Sequence, residues 1–319
     1  METMRDKRYS ETPILRRWQV FAAATVLLTW LSSTGCSYKE IAIRKLGDAL
    51  SEGGTTYASD DDPELIKGAV PFGLKLMETL LSESPRHKGL LLATCRGFTQ
   101  YGYAFVQQEA DEVEEKDVEK AIEIRARARR LYLRARNYGM RGLEVVQPGF
   151  EKMARNNPRQ GVQTFKSADV PLLYWTAVSW AAAISVTKDS ADLIADLPVV
   201  EALIDRALDL DEGFDGGAVH SFLITYEMNR ETASGDPEER ARRHFKRAME
   251  FSGGKLCSPL VTLAESVSIP KQDKAEFRRL LQQALEINPD TKPEWRLANI
   301  VMQRRARWLL SNTEKLFID

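Results

Sequence analysis

Cys36 carries the clearest chemistry in the sequence. It follows Arg16 and Arg17, the apolar run 18–31 (WQVFAAATVLLTWL) and the small residues Ser32, Ser33, Thr34 and Gly35. Charged, apolar and small-residue regions in that order read as an export signal. The apolar run is 14 residues long, too short for a bilayer-spanning helix, which needs roughly 20. Gly35 before Cys36 resembles a bacterial lipobox, in which the thiol takes a diacylglyceryl group and the cysteine becomes the new N-terminus. Ser33 stands where that box usually has leucine. The expectation is a lipoprotein signal peptide over 1–35 and an exported, lipid-attached domain over 36–319, with cleaved secretion without lipid and a plain apolar N-terminal helix as the other two readings.

The remaining residues of chemical interest form no catalytic set. His87, His220 and His244 show no His-x-x-x-His and no cysteine pair of metal-binding spacing. Gly253-Gly254-Lys255 lacks the Gly-x-x-x-x-Gly-Lys-Ser/Thr frame and follows a helical pattern, so it reads as a helix C-cap and not a phosphate cradle. Gly-x-Ser-x-Gly is absent. No catalytic residue, metal or cofactor is expected, and the chain does not read as an enzyme. Cys95 sits in the apolar series Leu91, Leu92, Cys95, Phe98, which favours buried free thiols at Cys95 and Cys257 over a disulfide.

Removing residues 1–35 leaves 40 basic and 43 acidic residues, a net charge of −3. That balance provides no electrostatic footprint for nucleic acid and none for an anionic membrane surface. Lipid would do the anchoring, at about 0.8 kcal/mol per buried CH₂. With 43% hydrophobic residues the chain can bury a sizeable core.

The elements that position these residues are helical. Alternating strand patterns with hairpin turns are nearly missing, while helical spacing recurs throughout. Leu65, Ala69, Phe72, Leu76 and Leu80 share one face, and Leu90, Thr94, Phe98, Tyr101 and Phe105 another. The stretch 109–141 reads as one long charged helix with a single buried stripe, supported by Glu112 facing Lys116 and Glu123 facing Arg127 at i, i+4.

Five helices end in a similar pattern, beginning at Leu80, Gly142, Ala207, Ala248 and Ala284, at spacings of 62, 65, 41 and 36 residues. Seven residues before each stand Gly73, Ala135, Val200, Ala241 and Phe277. A small residue there lets a neighbouring helix approach closely. Upstream partner helices are expected over 86–108, 171–186, 216–228 and 258–267, and a closing helix over 294–316. The later spacings approach the 34 residues of a tetratricopeptide repeat, and the earlier ones require longer helices or insertions. The predicted fold is all-α, a degenerate tetratricopeptide-like helix-hairpin stack forming an α-solenoid-like single domain, whose exposed surface is a binding face.

Residues 170–187 carry no charge (VPLLYWTAVSWAAAISVT). Tyr174, Thr176, Ser179 and Ser185 make this a buried central helix and not a second membrane segment. Trp175 and Trp180 then point either into packing or into a pocket, since an indole N–H needs a partner. Arg125, Arg127, Arg129, Arg130, Arg134, Arg136 and Arg141 follow the acidic 109–119. They form either a solvated face or a docking surface for an acidic partner or anionic ligand.

Assembled in order, Leu131 to Gly139 (LYLRARNYG), Asp169 to Trp175 with Ser179-Trp180-Ala181, Gly217 to Leu223, His244 to Ala248, and Arg296-Leu297-Ala298-Asn299 with Arg305 to Leu310 resemble the T component of tripartite ATP-independent periplasmic (TRAP) transporters, the TatT family of lipoproteins. The resemblance runs over most of the mature chain. It implies a periplasm-facing homotrimer, lipid-anchored through Cys36, with a channel through each helical stack. It further implies binding to the solute-binding P component and transfer of a small ligand, apolar ones included. On that view Phe98, Tyr101, Phe105, Tyr174, Trp175 and Trp180 line the ligand path. Ser37 after the cysteine favours the outer membrane over the inner. The competing reading is a scaffold lipoprotein of envelope assembly with no small-molecule ligand, whose interior is filled by side chains.

Overall fold

The computed structural model describes residues 43, 45–51, 54–187 and 190–318. It divides into two compact units, Met1–Leu46 and Gly47–Asp319, and every helix discussed below belongs to the second. The signal segment 1–35, Cys36, Gly53 and Lys188 lie outside the described residues.

Ten main helices follow one another, with no strand among the described residues. They are α1 (Pro63–Glu83), α2 (Lys88–Tyr101), α3 (Val118–Val146), α4 (Val170–Ser185), α5 (Leu197–Leu210), α6 (Phe214–Met228), α7 (Pro237–Ser252), α8 (Ser258–Leu263), α9 (Lys274–Glu286) and α10 (Arg296–Ser311). Their starts are written locally. Asp62 accepts from the backbone N–H groups of Glu64 and Leu65 with Pro63 at the first helical position, and Asp236 with Pro237 repeats the device at α7. Asp117 and Asp273 cap α3 and α9. Such caps satisfy N–H groups that have no partner inside the helix. Gly253, at φ 58°, ends α7 in the left-handed conformation a C-terminal glycine supplies.

All five expected C-termini close a helix: α1, α3, α5, α7 and α9 end at Glu83, Val146, Leu210, Ser252 and Glu286. The expected partners also pack as pairs, α2 on α3, α4 on α5, α6 on α7, and α8 on α9. Close approach is greatest where α3 meets α4. A Cβ built on Gly139 would collide with Thr176 Oγ1 and come within 3.0 Å of Cys95 Sγ, and one on Gly142 would press on Leu172. Asp215, Gly216 and Gly217 run through positive φ (44°, 66° and 85°) before α6 straightens. There a Cβ on Gly217 would stand 3.2 Å from the backbone of Ala248 on α7, so glycine is what allows the pair to close.

Three expectations are corrected. On α1 the buried residues are Ile66, Leu74, Leu80 and Leu81, while Leu65 is 60% and Phe72 75% exposed. The helix meets α2 through Leu74, which fits over Gly97, so the apolar stripe one residue round the helix is left outside. The 109–141 stretch is not one helix. Residues 102–113 extend α2, the chain turns at 114–117, and α3 begins at Val118 under the Asp117 cap. The acidic turn folds back so that Arg125 reaches Glu114 at 2.6 Å and Asp111 at 3.1 Å. The turn also separates Glu112 from Lys116, and Glu112 pairs instead with Arg304 of α10, while within α3 Glu123 pairs with Lys120 and Arg127 lies over the Tyr101 ring.

The buried stripe of α3 runs Ala121, Ile124, Ala128, Tyr132, Ala135, Gly139, Gly142, Leu143, at helical spacing. The uncharged segment forms α4, with Leu172, Leu173, Thr176, Ala177 and Ser179 almost wholly buried. Thr176 Oγ1 and Ser179 Oγ donate back to the helix carbonyls of Leu172 and Thr176, which satisfies hydroxyls that would otherwise be costly to bury. Among the described residues no helix is long and apolar enough to cross a membrane.

Candidate functional site

A groove of about 860 Å³ opens where the C-terminal half of α3, the C-terminal part of α4, the start of α5 and the short helix Phe150–Asn156 come together. Its walls include Pro85, Met140, Val145, Pro148, Pro158, Pro198 and Val199, and its charges are Arg86, Arg136, Arg141 and Arg155 against Glu144, Glu151 and Asp196. Two of those carboxylates are already engaged. Glu144 accepts from the backbone N–H groups of Gly149 and Glu151, and Glu151 pairs with Arg155 at 2.9 Å.

Arg136 is the centre of the remaining charge. Its guanidinium lies over the Trp180 ring, 4.9 Å from the centroid, and donates to Asn137 Oδ1. Its nearest carboxylate, Asp196, is 3.9 Å away. Partial burial with so loose a counter-ion lowers its pKa from the ordinary arginine value. Arg141 donates to the carbonyl of Pro85 and stacks over Tyr138. The Trp180 indole, 6% exposed, has no acceptor for its Nε1–H.

The basic stretch of α3 therefore divides. Arg125 is neutralised by Glu114 and Asp111, and Arg134 by Glu78, whereas Arg136 and Arg141 face the groove.

Of the six aromatic residues expected on a ligand path, Trp180 alone lines this groove. Phe98, Tyr101 and Phe105 lie in one hydrophobic cluster with Tyr132 and Ile124, at 4–7% exposure. Tyr174 lies in the cluster built on α4 and α5, edge-on to Trp175 and tilted against Phe214. Trp175 is half-buried and packs against both clusters. Burial pushes the Tyr174 hydroxyl above its ordinary pKa. Cys95 and Cys257 are free and buried, and burial raises each thiol to about 12, which leaves neither a nucleophile at neutral pH.

Two polar arrangements have no signature in the sequence. The chain widens into π-helical turns at Gly102–Gln107 and Ala264–Ser268, and both turns border one cluster. In it Arg305 of α10 pairs with Glu265 and Asp111, Tyr132 donates to Gln107, and the buried amide of Gln108 has no partner. Burial raises the Glu265 carboxyl. Elsewhere His220 of α6 and His244 of α7 meet Nδ1 to Nδ1 at 2.8 Å, with Glu212 3.3 Å from the far nitrogen of His220. Among the described residues no group of three or more His, Cys, Asp or Glu side chains is placed to hold a metal ion.

The family model described as TRAP transporter T-component matches residues 59–317. A protein of Treponema pallidum (strain Nichols), described as an uncharacterized protein, is 30% identical over 317 residues, covering 94% of this chain and 97% of that one.

Proposed function

The chain belongs to the TRAP transporter T-component family, and from that premise we propose that it is a lipid-anchored, periplasm-facing adaptor that binds the solute-binding P component and hands on a small ligand. The observation that carries this reading is the extent of the family match, which runs through all four helix pairs and the closing helix α10. Cys36 is the attachment point, and the outer membrane is the destination that Ser37 favours. Ion-coupled transport belongs to separate membrane subunits. The stripe of Leu65 and Phe72 left exposed on α1 supports self-association, because an apolar stripe is stabilised when a second copy covers it, and the homotrimer is the proposed form of it. The proposed ligand path is the set Phe98, Tyr101, Phe105, Tyr174, Trp175 and Trp180.

One observation favours the second reading, a scaffold lipoprotein without a small ligand: five of the six rings are packed to 8% exposure or less. Affinity purification of the full-length chain from detergent-solubilised envelope, followed by mass spectrometry of proteins and extracted small molecules, separates the two. Co-purification of a periplasmic solute-binding protein supports the adaptor. Recovery of β-barrel or cell-wall machinery alone, with no extractable small molecule, supports the scaffold. Trp175→Ala sharpens the ligand question, since a path residue changes ligand retention while a core residue costs several kcal/mol of stability and leaves retention alone.

A further inference from the structure

We infer that the Arg136–Trp180 groove is the docking surface for an acidic face of the P component, an assignment that rests on the adaptor reading above. The groove runs open along the surface between α3 and the short helix 150–156, with Arg86 and Arg141 exposed on its rim. A protein surface fits such a channel better than a small solute, which binding pockets bury by 70–90%. Its composition is that of an interface centre. Trp and Arg are the residues that dominate binding energy when a partner excludes water around them, and here they are stacked on one another between proline walls.

The charge arrangement favours a carboxylate-bearing partner. Glu151 is paired with Arg155, and Glu144 is held by backbone N–H groups but keeps its charge, so Arg86, Arg136 and Arg141 stand against Glu144 and Asp196, and the carboxylate nearest Arg136 is 3.9 Å away. An incoming Asp or Glu side chain would provide Arg136 with the close partner it lacks. Where the guanidinium gives way, the same side chain would also offer an acceptor to the Trp180 Nε1–H. Charged groups arranged in this way steer association and make it sensitive to salt.

The test uses the full-length chain in detergent micelles, immobilised, with the purified P component of the same transporter as analyte at 50 and 200 mM salt. Arg86→Glu/Arg141→Glu is the principal variant because both side chains are exposed, and Trp180→Phe removes the N–H while keeping a ring. Arg278→Glu on the exposed face of α9 is the control. The expected result is binding by the wild type that weakens with salt, a loss of at least tenfold in Arg86→Glu/Arg141→Glu with an unchanged melting temperature, a smaller loss in Trp180→Phe, and no change in Arg278→Glu. Wild-type binding that the double reversal leaves intact overturns the docking assignment and leaves the adaptor reading standing. A wild type that fails to bind the P component overturns both. Citrate binding that the double reversal abolishes, with P-component binding unchanged, assigns the groove to small organic acids and also overturns the proposal.

Discussion

The same substitution should have opposite effects at two helical glycines, Gly68 on α1 and Gly139 on α3. A Cβ on Gly68 meets nothing within 4 Å, so Gly68→Ala gains only the helix propensity difference, about 1 kcal/mol. At Gly139 the same gain is set against the α3–α4 contact, where the new methyl lands on Thr176 Oγ1 and 3.0 Å from Cys95 Sγ. Thr176 cannot rotate away freely, because its hydroxyl is buried and donates to the Leu172 carbonyl at 2.6 Å. Overpacking costs about 1–3 kcal/mol, and loss of the Thr176 bond about 1 kcal/mol more. Offset by propensity, Gly139→Ala should come out about 2 kcal/mol less stable than wild type, with the two variants about 3 kcal/mol apart. Urea or thermal unfolding followed by far-UV circular dichroism reads this directly. For a chain of 319 residues Gly139→Ala should lower the midpoint temperature by roughly 3 °C, and Gly68→Ala should raise it. Thr176→Ala in the Gly139→Ala background removes the colliding atom, so the double variant should be more stable than the sum of the singles by about 1 kcal/mol or more. A Gly139→Ala protein as stable as wild type, or strict additivity in the double variant, would refute the close-contact argument.

The histidine pair predicts acid sensitivity. Burial and the neighbouring His220 hold His244 down to about 4, and Glu212, Glu227, Glu250, Arg230, Arg243 and Arg247 surround the pair. The unfolded chain protonates near 6.5 while the folded chain does not, so stability is full above that pH and falls as pH drops from about 6.5 toward 4, by about 2 kcal/mol after allowing for partial solvent access. His244→Gln should flatten this part of the profile in pH-dependent unfolding. Arg240→Met should cost about 3–5 kcal/mol, because Arg240 pairs with buried Glu227 and donates to the carbonyls of Glu227, Arg230, Ser234 and Gly235 that close the 229–236 loop. An unfolding midpoint within error of wild type contradicts that role. Cys95 and Cys257 should resist a neutral thiol reagent in the folded protein and react on unfolding, so rapid labelling of the folded chain would place them outside the core.

Helix ends and helix pairing were legible in the sequence because both are written in short-range chemistry. The recurring Ala-Leu-Glu type endings at 207 and 284 and the spacing of Leu90, Thr94, Phe98, Tyr101 and Phe105 each specify a local outcome that packing then kept. The face of α1 was not legible. Leu65, Ile66, Ala69, Val70, Phe72 and Leu74 make two overlapping apolar stripes, and which of them is buried depends on Gly97 of another helix. The turn at 114–117 was hidden by a run of good helix formers, Glu and Lys, which a single Asp cap and a tertiary ion pair with Arg125 override. His220 and His244, 24 residues apart, have no spacing signature because the contact exists only once α6 lies on α7. The two π-helical turns likewise show no sequence signal that separates them from ordinary helix.

The groove illustrates how one helix can hold both a structural and a recognition surface. Along α3 the residues facing α1 and the acidic turn find carboxylates within the chain: Arg125 has Glu114, and Arg134 shares Glu78 with the Tyr138 hydroxyl. Arg136, two residues past Arg134 and so about 200° round the helix, turns from α1 to α4, and α4 brings an indole and no carboxylate over 170–187. The absence of charge that lets α4 serve as the central buried helix thus leaves Arg136 under-compensated. Supplying the missing carboxylate from α4 would put an acidic side chain beside the core formed by Leu173, Ala177 and Leu203, where an imperfectly paired charge is expensive. A partner's carboxylate arrives from the solvent side and avoids that cost, so the feature that stabilises the centre of the stack is also the one that leaves the groove dependent on a second molecule.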